Sequence, residues 1–168
     1  MSKAKADAAV RECAADGQFG AVILRAFNVA GAVDGRADEE LSRIIPKALA
    51  VARGDADHLD VNGDGSAVRD FVHVLDLARA YELSLGYCSP GRTGIFNVGA
   101  TSASVAHIIE TVERLTGRAL PVVHRAPQPE PACLIADTTR LVNELGWRAR
   151  HSSLDEMVGD AWAATGGL

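Results

Sequence analysis

The sequence predicts an α/β fold, in which short apolar strands alternate with amphipathic helices along one compact unit. The first observation is Val-Arg-Asp-Phe-Val-His at residues 68–73, a β-branched strand that leads directly into a helix. The second is the apolar run at residues 21–27, which is typical of a buried strand and is followed by Asn28. Ligands of open α/β sheets bind at the carboxyl ends of such strands. Both segments therefore indicate where a functional site lies.

The helix that follows residue 73 is expected to be amphipathic. Asp76 is the predicted N-cap, and Leu77, Ala80, Tyr81 and Leu85 form the predicted apolar face. Side chains and backbone N–H groups converge where a strand ends at a helix N-terminus, which suits a ligand.

The adjacent residues Arg69 and Asp70 allow two interpretations. As an exposed ion pair they contribute little to stability. As ligand contacts they belong to a site at the strand end. The dipeptide alone leaves both interpretations open.

The other elements follow from periodicity and from turn residues. Helices are predicted at residues 2–15, 39–52, 105–116, 137–145 and 154–165. The second helix is either kinked at Pro46 or starts near Ile45, and Ser102 or Ser104 caps the third. Further strands are predicted at residues 58–61, 95–99 and 121–124, and loops at residues 28–32, 34–38, 62–66, 89–94 and 126–132.

Composition excludes several functions. The net charge is −5, and 17 basic and 22 acidic residues are interspersed, which argues against nucleic acid as a partner. The apolar runs are too short to span a membrane, and the five histidines show no metal-ligand spacing. The cysteines, at positions 13, 88 and 133, are interpreted as reduced thiols, buried or incidental. We expect a cytoplasmic protein without a metal.

Six segments, taken together and in order, resemble the carboxyl-terminal portion of the UDP-glucose 4-epimerases. These enzymes are extended short-chain dehydrogenases/reductases of the NAD-dependent epimerase/dehydratase family. The matching segments lie at residues 24–32, 44–46, 62–78, 96–99, 136–147 and 154–162.

The resemblance implies a fold and an activity. The fold is the last part of a doubly wound, NAD(P)-binding Rossmann-like sheet followed by a small α/β substrate domain. The activity is interconversion of UDP-glucose and UDP-galactose through a transient 4-keto sugar, with bound NAD and a Tyr-x-x-x-Lys pair for proton transfer. The expected division is residues 1–32 as the Rossmann remnant and residues 33–168 as mainly the UDP-sugar domain.

The sequence departs from the family at the cofactor site. Neither a Gly-x-x-Gly-x-x-Gly nor a Gly-x-Gly-x-x-Gly loop occurs in it. Lys3 falls at the lysine of the Tyr-x-x-x-Lys motif, where it is implied to serve catalysis and NAD binding, but the tyrosine would precede Met1. We therefore expect a chain without its dinucleotide-binding region, inactive alone and unlikely to hold NAD unaided.

Substrate residues are implied position by position. Asn28 and Arg69 match residues that contact the diphosphate; the alternative for Asn28 is a turn-capping role after a strand. Glu130 stands where an aspartate holds the ribose, and Pro127 stands where an arginine is usual. Arg125 and Arg43 are the candidates that could compensate for that arginine. His73 and Asn97 are each either structural or close to ligand.

Three functional hypotheses remain open. The chain is the substrate half of an epimerase that needs a separate Rossmann half, or it is a non-catalytic sugar-nucleotide-binding module. The third hypothesis is a degenerate remnant that self-associates, because helix 2–15 and strand 21–27 would expose apolar surface.

Overall fold

A computed structural model describes residues 3–167, in which helices and strands alternate along the chain. The helices are α1 (Lys3–Ala14), α2 (Ile44–Arg53), α3 (Val74–Tyr87), α4 (Val105–Thr116), α5 (Thr139–Leu145) and α6 (Leu154–Ala164). The strands are β1 (Ala21–Ala26), β2 (Asn28–Ala30), β3 (Ala32–Val33), β4 (Arg36–Ala37), β5 (Leu59–Asn62), β6 (Val68–His73), β7 (Thr93–Val98), β8 (Thr101–Ser104), β9 (Val122–Arg125) and β10 (Cys133–Leu134).

Parallel pairing dominates the sheets. β1 pairs with β7 in parallel, with Ile23 opposite Ile95. β6 pairs in parallel with β10 and β2, and antiparallel with β8. β5 and β9 form another parallel pair, whereas β3 and β4 form a small antiparallel hairpin. The predicted α/β class is confirmed. No helix within residues 3–167 is long and apolar enough to cross a bilayer.

Two apolar cores hold these elements together. The larger core contains Leu49 of α2, Ile108 of α4 and Met157 of α6, all essentially buried. The other surrounds Phe96 of β7 and includes Leu141 of α5. β6 contributes to both, because Phe71 faces the first core and Val72 the second.

Two helix starts follow the predicted alternatives. α2 begins at Ile44, so Pro46 lies in the first turn and costs no internal hydrogen bond. Ser104, rather than Ser102, caps α4 by accepting the N–H of His107 at 3.1 Å. Gly117 closes that helix in the left-handed conformation with φ of 66°.

The prediction for α3 was wrong in two respects. Its N-cap is His73, whose Nδ1 accepts the N–H of Leu75, and not Asp76. The predicted apolar face is also only partly buried: Ala80 is inaccessible, whereas Tyr81 and Leu85 are 58% and 76% exposed. The helix starts earlier because the buried His73 ring supplies the cap.

The loop predicted at residues 28–32 was also wrong, since most of this segment is β2 and the start of β3. β8 and β10 were likewise not predicted. These short strands form because β6 supplies a hydrogen-bonding edge beside them. A segment of only two to four residues carries little strand signal of its own. The three cysteines are free and exposed, so burial was the wrong alternative for them.

Asp76 has a structural role inside the fold. Its buried carboxylate accepts the backbone N–H groups of Arg150 and His151 at 2.9 Å, and the hydroxyl of Ser152. Burial alone raises the pKa of Asp76, but the hydrogen bonds from Ser152, His151 and Arg150 outweigh it and place the pKa below its usual 3.8. Asp76 therefore fastens the segment before α6 to α3.

Replacing Asp76 with Asn is expected to lower the free energy of unfolding at pH 7 by about 1–3 kcal/mol, since buried donors lose a charged acceptor. Because the folded-state pKa is lowered, this stabilisation is complete above pH 3.8 and is lost as the pH falls through the folded value. Urea denaturation from pH 7 down to pH 3 should show the difference between the two proteins shrinking with acidity. Asp57→Asn, at an exposed position, is the control. A difference independent of pH would contradict this role.

Candidate functional site

A cavity of about 400 Å³ lies between β2, β5, β6 and the start of α2. It brings together four predicted site residues from four separate stretches of chain: Asn28, Arg43, Arg69 and Glu130. Its wall also contains Val29, Ala30, Ser42, Ile44, Ile45, Pro46, Lys47, Asp60, Val61, Asn62, Ala67, Phe71 and Val105. Apolar walls with a few converging polar groups are typical of small-molecule sites.

Arg69 is held in position by hydrogen bonds on both terminal nitrogens. Nη1 donates to the carbonyls of Val68 and Pro131, each at 2.9 Å. Nη2 donates to Glu130 Oε2 at 2.8 Å. The guanidinium thereby fixes the loop before β10 against β6, and it presents a positive charge to the cavity.

Asp70 does not pair with Arg69, so the interpretation of the dipeptide as an ion pair was wrong. The buried Asp70 carboxylate accepts the N–H groups of Ala100 and Ala136 at 2.9 and 2.8 Å. A Cβ on Gly99 would stand 2.4 Å from Asp70 Oδ2, which explains the glycine. Successive side chains of β6 thus point to opposite sides and have opposite roles.

Asn28 opens β2 beside β6. Its Nδ2 donates to the carbonyl oxygen of Asp70 at 2.8 Å, which fixes the side-chain amide at the cavity wall. That bond uses one of the amide's donor positions, so the second N–H and the oxygen are available to a ligand.

The start of α2 adds positive potential to the cavity. Arg43 occupies the N-cap position, and its side chain makes no capping hydrogen bond. The guanidinium instead donates to Asp38 at 2.6 Å and is 60% exposed. The first-turn N–H groups of α2 and the side chain of Lys47 therefore favour an anion here.

Arg125 is held outside the residues that line this cavity. Its Nε donates to Asp60 Oδ1 at 2.7 Å, and this hydrogen bond lowers the pKa of Asp60 below its usual 3.8. Arg125 instead borders a second, open cavity together with Gly63, Asp64, His124 and Pro127. Its contact with phosphate stays a prediction.

Sequence reasoning missed Lys47 and Asp60 as cavity residues. Asp60 sits between Leu59 and Val61 in the alternating pattern of β5, which was a usable signal. Lys47 follows the Ile-Ile-Pro segment, one position beyond the motif.

The remaining predicted site residues either have structural roles or have side chains outside the described part of the chain. His73 is wholly buried, caps α3 and lies 3.2 Å from Asp160 through Nε2. Asn97 donates to the carbonyl of Asp137 at 3.3 Å. The side chain of Lys3 lies outside the described part of the chain, so its role stays a prediction.

The described residues do not fit the pyrophosphate of NAD. Such a site needs a glycine-rich turn between a strand and the N-terminus of a helix. Where β6 meets α3 the N-cap is His73, and where β8 meets α4 it is Ser104, so side chains already occupy both helix starts. No catalytic step is therefore assigned to these residues.

Parallel strands flanked by helices, with a partly apolar cavity among them, are typical of α/β proteins that bind a small molecule, and comparison with known proteins identifies the family. The NAD dependent epimerase/dehydratase family matches residues 1–99. The chain is 38% identical over 178 residues to the UDP-glucose 4-epimerase of Corynebacterium glutamicum, covering 99% of this chain and 54% of that protein. The UDP-glucose 4-epimerase of Halalkalibacterium halodurans is also 38% identical, over 155 residues. That match covers 84% of this chain and 46% of that protein.

Solved structures give the same result. The UDP-glucose 4-epimerase of Stenotrophomonas maltophila, with bound NAD and formylated UDP-arabinopyranose, superposes with a TM-score of 0.86 at 30% identity, over 96% of this chain and 52% of that one. The UDP-glucose 4-epimerase from Bifidobacterium longum, in complex with NAD+ and UDP, superposes with a TM-score of 0.83 at 26% identity. This match covers 95% of this chain and 50% of that one. The chain belongs to the NAD-dependent epimerase/dehydratase family and spans about half the length of these relatives. The predicted resemblance to part of a UDP-glucose 4-epimerase is confirmed.

Replacing Glu130 with Gln is expected to tighten binding of inorganic pyrophosphate about fivefold, because Arg69 loses a competing carboxylate in an exposed contact worth about 1 kcal/mol. Isothermal titration calorimetry would measure the change. Glu110→Gln, at an exposed position on α4, is the matched control and should have no effect. Weaker or unchanged binding in the Glu130 variant would show that Glu130 does not compete for Arg69.

Proposed function

We propose that this chain forms the UDP-sugar-binding half of a UDP-glucose 4-epimerase-like isomerase, which interconverts UDP-glucose and UDP-galactose. The observation that supports it best is the convergence of Arg69, Asn28 and the start of α2 on one cavity. The first two are the residues that the resemblance assigns to the diphosphate. A cavity of about 400 Å³ also suits a nucleotide-sized ligand.

Each side chain has a defined task in this proposal. Arg69 offers its guanidinium to the diphosphate once Glu130 is displaced, since arginine suits phosphate oxygens. Asn28 donates its second amide N–H, and the N-terminus of α2 with Arg43 and Lys47 adds positive charge. Once Glu130 has separated from Arg69, its carboxylate accepts a hydrogen bond from a ribose hydroxyl. These contacts supply affinity and orientation, whereas the chemistry needs groups from elsewhere.

NAD and the catalytic tyrosine belong, in this proposal, to a Rossmann half outside these residues. Residues 1–32 are assigned to that Rossmann region and residues 33–168 mainly to substrate, with Lys3 completing the catalytic pair. The 168 residues alone are then expected to bind a UDP-sugar without turning it over. A non-catalytic sugar-nucleotide-binding module is the second candidate, because the cavity already brings Asn28, Arg43, Arg69 and Glu130 together.

Calorimetric titration with UDP and then UDP-glucose tests the binding site. Arg69→Ala is expected to weaken binding about tenfold to a hundredfold, because one charge-assisted phosphate contact is worth about 1.5–3 kcal/mol. Arg53→Ala is the matched control, since Arg53 pairs with Asp55 at the far end of α2 and does not line the cavity.

The outcomes separate the hypotheses. Binding of both ligands that is lost only in the Arg69 variant supports a UDP-sugar site. Absence of binding by a chain that circular dichroism shows to be folded would contradict both the epimerase-half and the binding-module proposals. Circular dichroism also checks that Arg69→Ala is folded. If that variant does not fold, Arg69→Lys is used instead and is expected to bind more weakly than the unchanged chain.

A further inference from the structure

A smaller cavity, of about 220 Å³, adjoins the candidate site. Val29, Ala30 and Arg43 line both cavities, which therefore meet along β2 and the start of α2. The rest of the smaller wall is made by Gly31, Arg36, Ala37, Asp38 and Val74. Sites for whole drug-sized ligands measure about 300–1,000 Å³, so this volume suits one part of a ligand, such as a single sugar ring.

A tight turn fixes the backbone of Arg36 beside this smaller cavity. β3 and β4 pair with Val33 opposite Arg36, which leaves Asp34 and Gly35 as a two-residue loop. Both loop residues have positive φ, 50° for Asp34 and 70° for Gly35, as a type I′ hairpin turn requires. The neighbouring Ala37 packs against the larger apolar core and so anchors the hairpin.

Arg36 differs from the other arginines of the two cavities in having no carboxylate partner. Arg43 donates to Asp38, and Arg69 donates to Glu130. Arg36 makes no ion pair and no side-chain hydrogen bond within the part of the chain that the structure describes. Because Asp38 is already engaged by Arg43, the smaller cavity holds one positive charge that is not balanced.

The order of the strands gives the direction in which a bound nucleotide sugar would run. β6 lies between β10 and β2 in one sheet. In the proposed function, Glu130, in the loop before β10, binds the ribose, and Arg69 and Asn28 bind the diphosphate. The hexose is the next group along such a ligand. It would therefore lie beyond Asn28, along β2 and toward the smaller cavity.

We propose that Arg36 binds a carboxylate on the hexose, so that the site takes UDP-hexuronates, such as UDP-glucuronate, in preference to neutral UDP-hexoses. The proposal rests on the proposed function, because it uses the same diphosphate contacts, and it extends the substrate class of that function. A guanidinium donates two parallel hydrogen bonds to a carboxylate, which gives the pair both strength and orientation. Epimerisation at C4 leaves the carboxylate at C6 unchanged, so substrate and product both carry it.

A carboxylate suits Arg36 better than the hydroxyl groups of a neutral hexose do. Hydrogen bonds between two charged groups are roughly twice as strong as those between neutral groups. Arg36 also has no protein carboxylate to give up before it binds, in contrast to Arg69. Since the Arg36 side chain is exposed, its contribution is expected to be moderate and to weaken with salt.

Calorimetric titration of the 168-residue chain with UDP, UDP-glucose and UDP-glucuronate tests the proposal. We expect UDP-glucuronate to bind about tenfold more tightly than UDP-glucose at low salt, because one ligand pairs with a charge and the other does not. This ratio should shrink when the ionic strength is raised to about 0.5 M.

Substitutions of Arg36 provide the second readout. Arg36→Gln should bring the ratio of the two affinities to about one, because the amide carries no charge. Arg36→Lys keeps the charge without the planar fork and should retain part of the preference. Arg118→Gln is the matched control and should keep the full ratio, since Arg118 is also exposed and lines neither cavity. The affinity of each variant for UDP, which has no hexose, checks that the diphosphate contacts are intact.

The outcomes separate this proposal from the proposed function. Binding of UDP with a ratio near one in the unchanged chain, or a preference for UDP-glucuronate that persists in Arg36→Gln, would overturn the hexuronate site and leave the proposed function standing. Equal loss of affinity for both sugars in Arg36→Gln would show contact with hexose hydroxyls and would also overturn it. If the folded chain binds none of the three ligands, the proposed function itself is contradicted, and the hexuronate site with it.

Discussion

Two buried carboxylates at the junction of β6 and α3, together with a backbone N–H between them, bind several segments that come later in the chain. Asp70 binds the backbone at Ala100 and Ala136, and Asp76 binds the backbone at Arg150 and His151. Between them the N–H of His73 donates to Ser152, whose hydroxyl donates in turn to Asp76. A buried carboxylate is stable only when such donors surround it. Segments distant in sequence are thus ordered by one seven-residue stretch, residues 70–76.

This junction also determines where the cavity lies. Asp70 fixes the register of β6 against the loop after β7, so that Arg69, the preceding residue, must face the other way. Asn28 is fixed by the carbonyl of Asp70, and it reaches the same cavity from β2. The two candidate ligand contacts therefore depend on a carboxylate that does not touch the cavity, and removing that carboxylate would disturb both together.

The sequence predicted the long elements and failed where structure depends on partners. α4 has its cap, its apolar periodicity and its closing glycine in its own residues, and it was predicted to the residue. β2 and β10 are strands only because β6 lies beside them, and no local pattern encodes that. Asn28 and Arg69 were recognisable from their motifs. The pairing of Arg125 with Asp60 could not be recognised from any motif, because the two residues are 65 positions apart in the sequence.

Charge balance in the cavity follows from these pairings. Arg69 is matched by Glu130, Arg43 by Asp38, and Lys47 by Asp60. Each of these cations is thus paired with a carboxylate of the protein, and in the proposed function a diphosphate replaces carboxylates rather than water. Such contacts are exposed and individually weak, so replacement is feasible, but the gain per phosphate contact is smaller than for a free guanidinium. The ligand of the proposed function, a nucleoside diphosphate joined to a sugar, contacts several of these groups at once, which offsets the small gain from each contact better than a simple anion would.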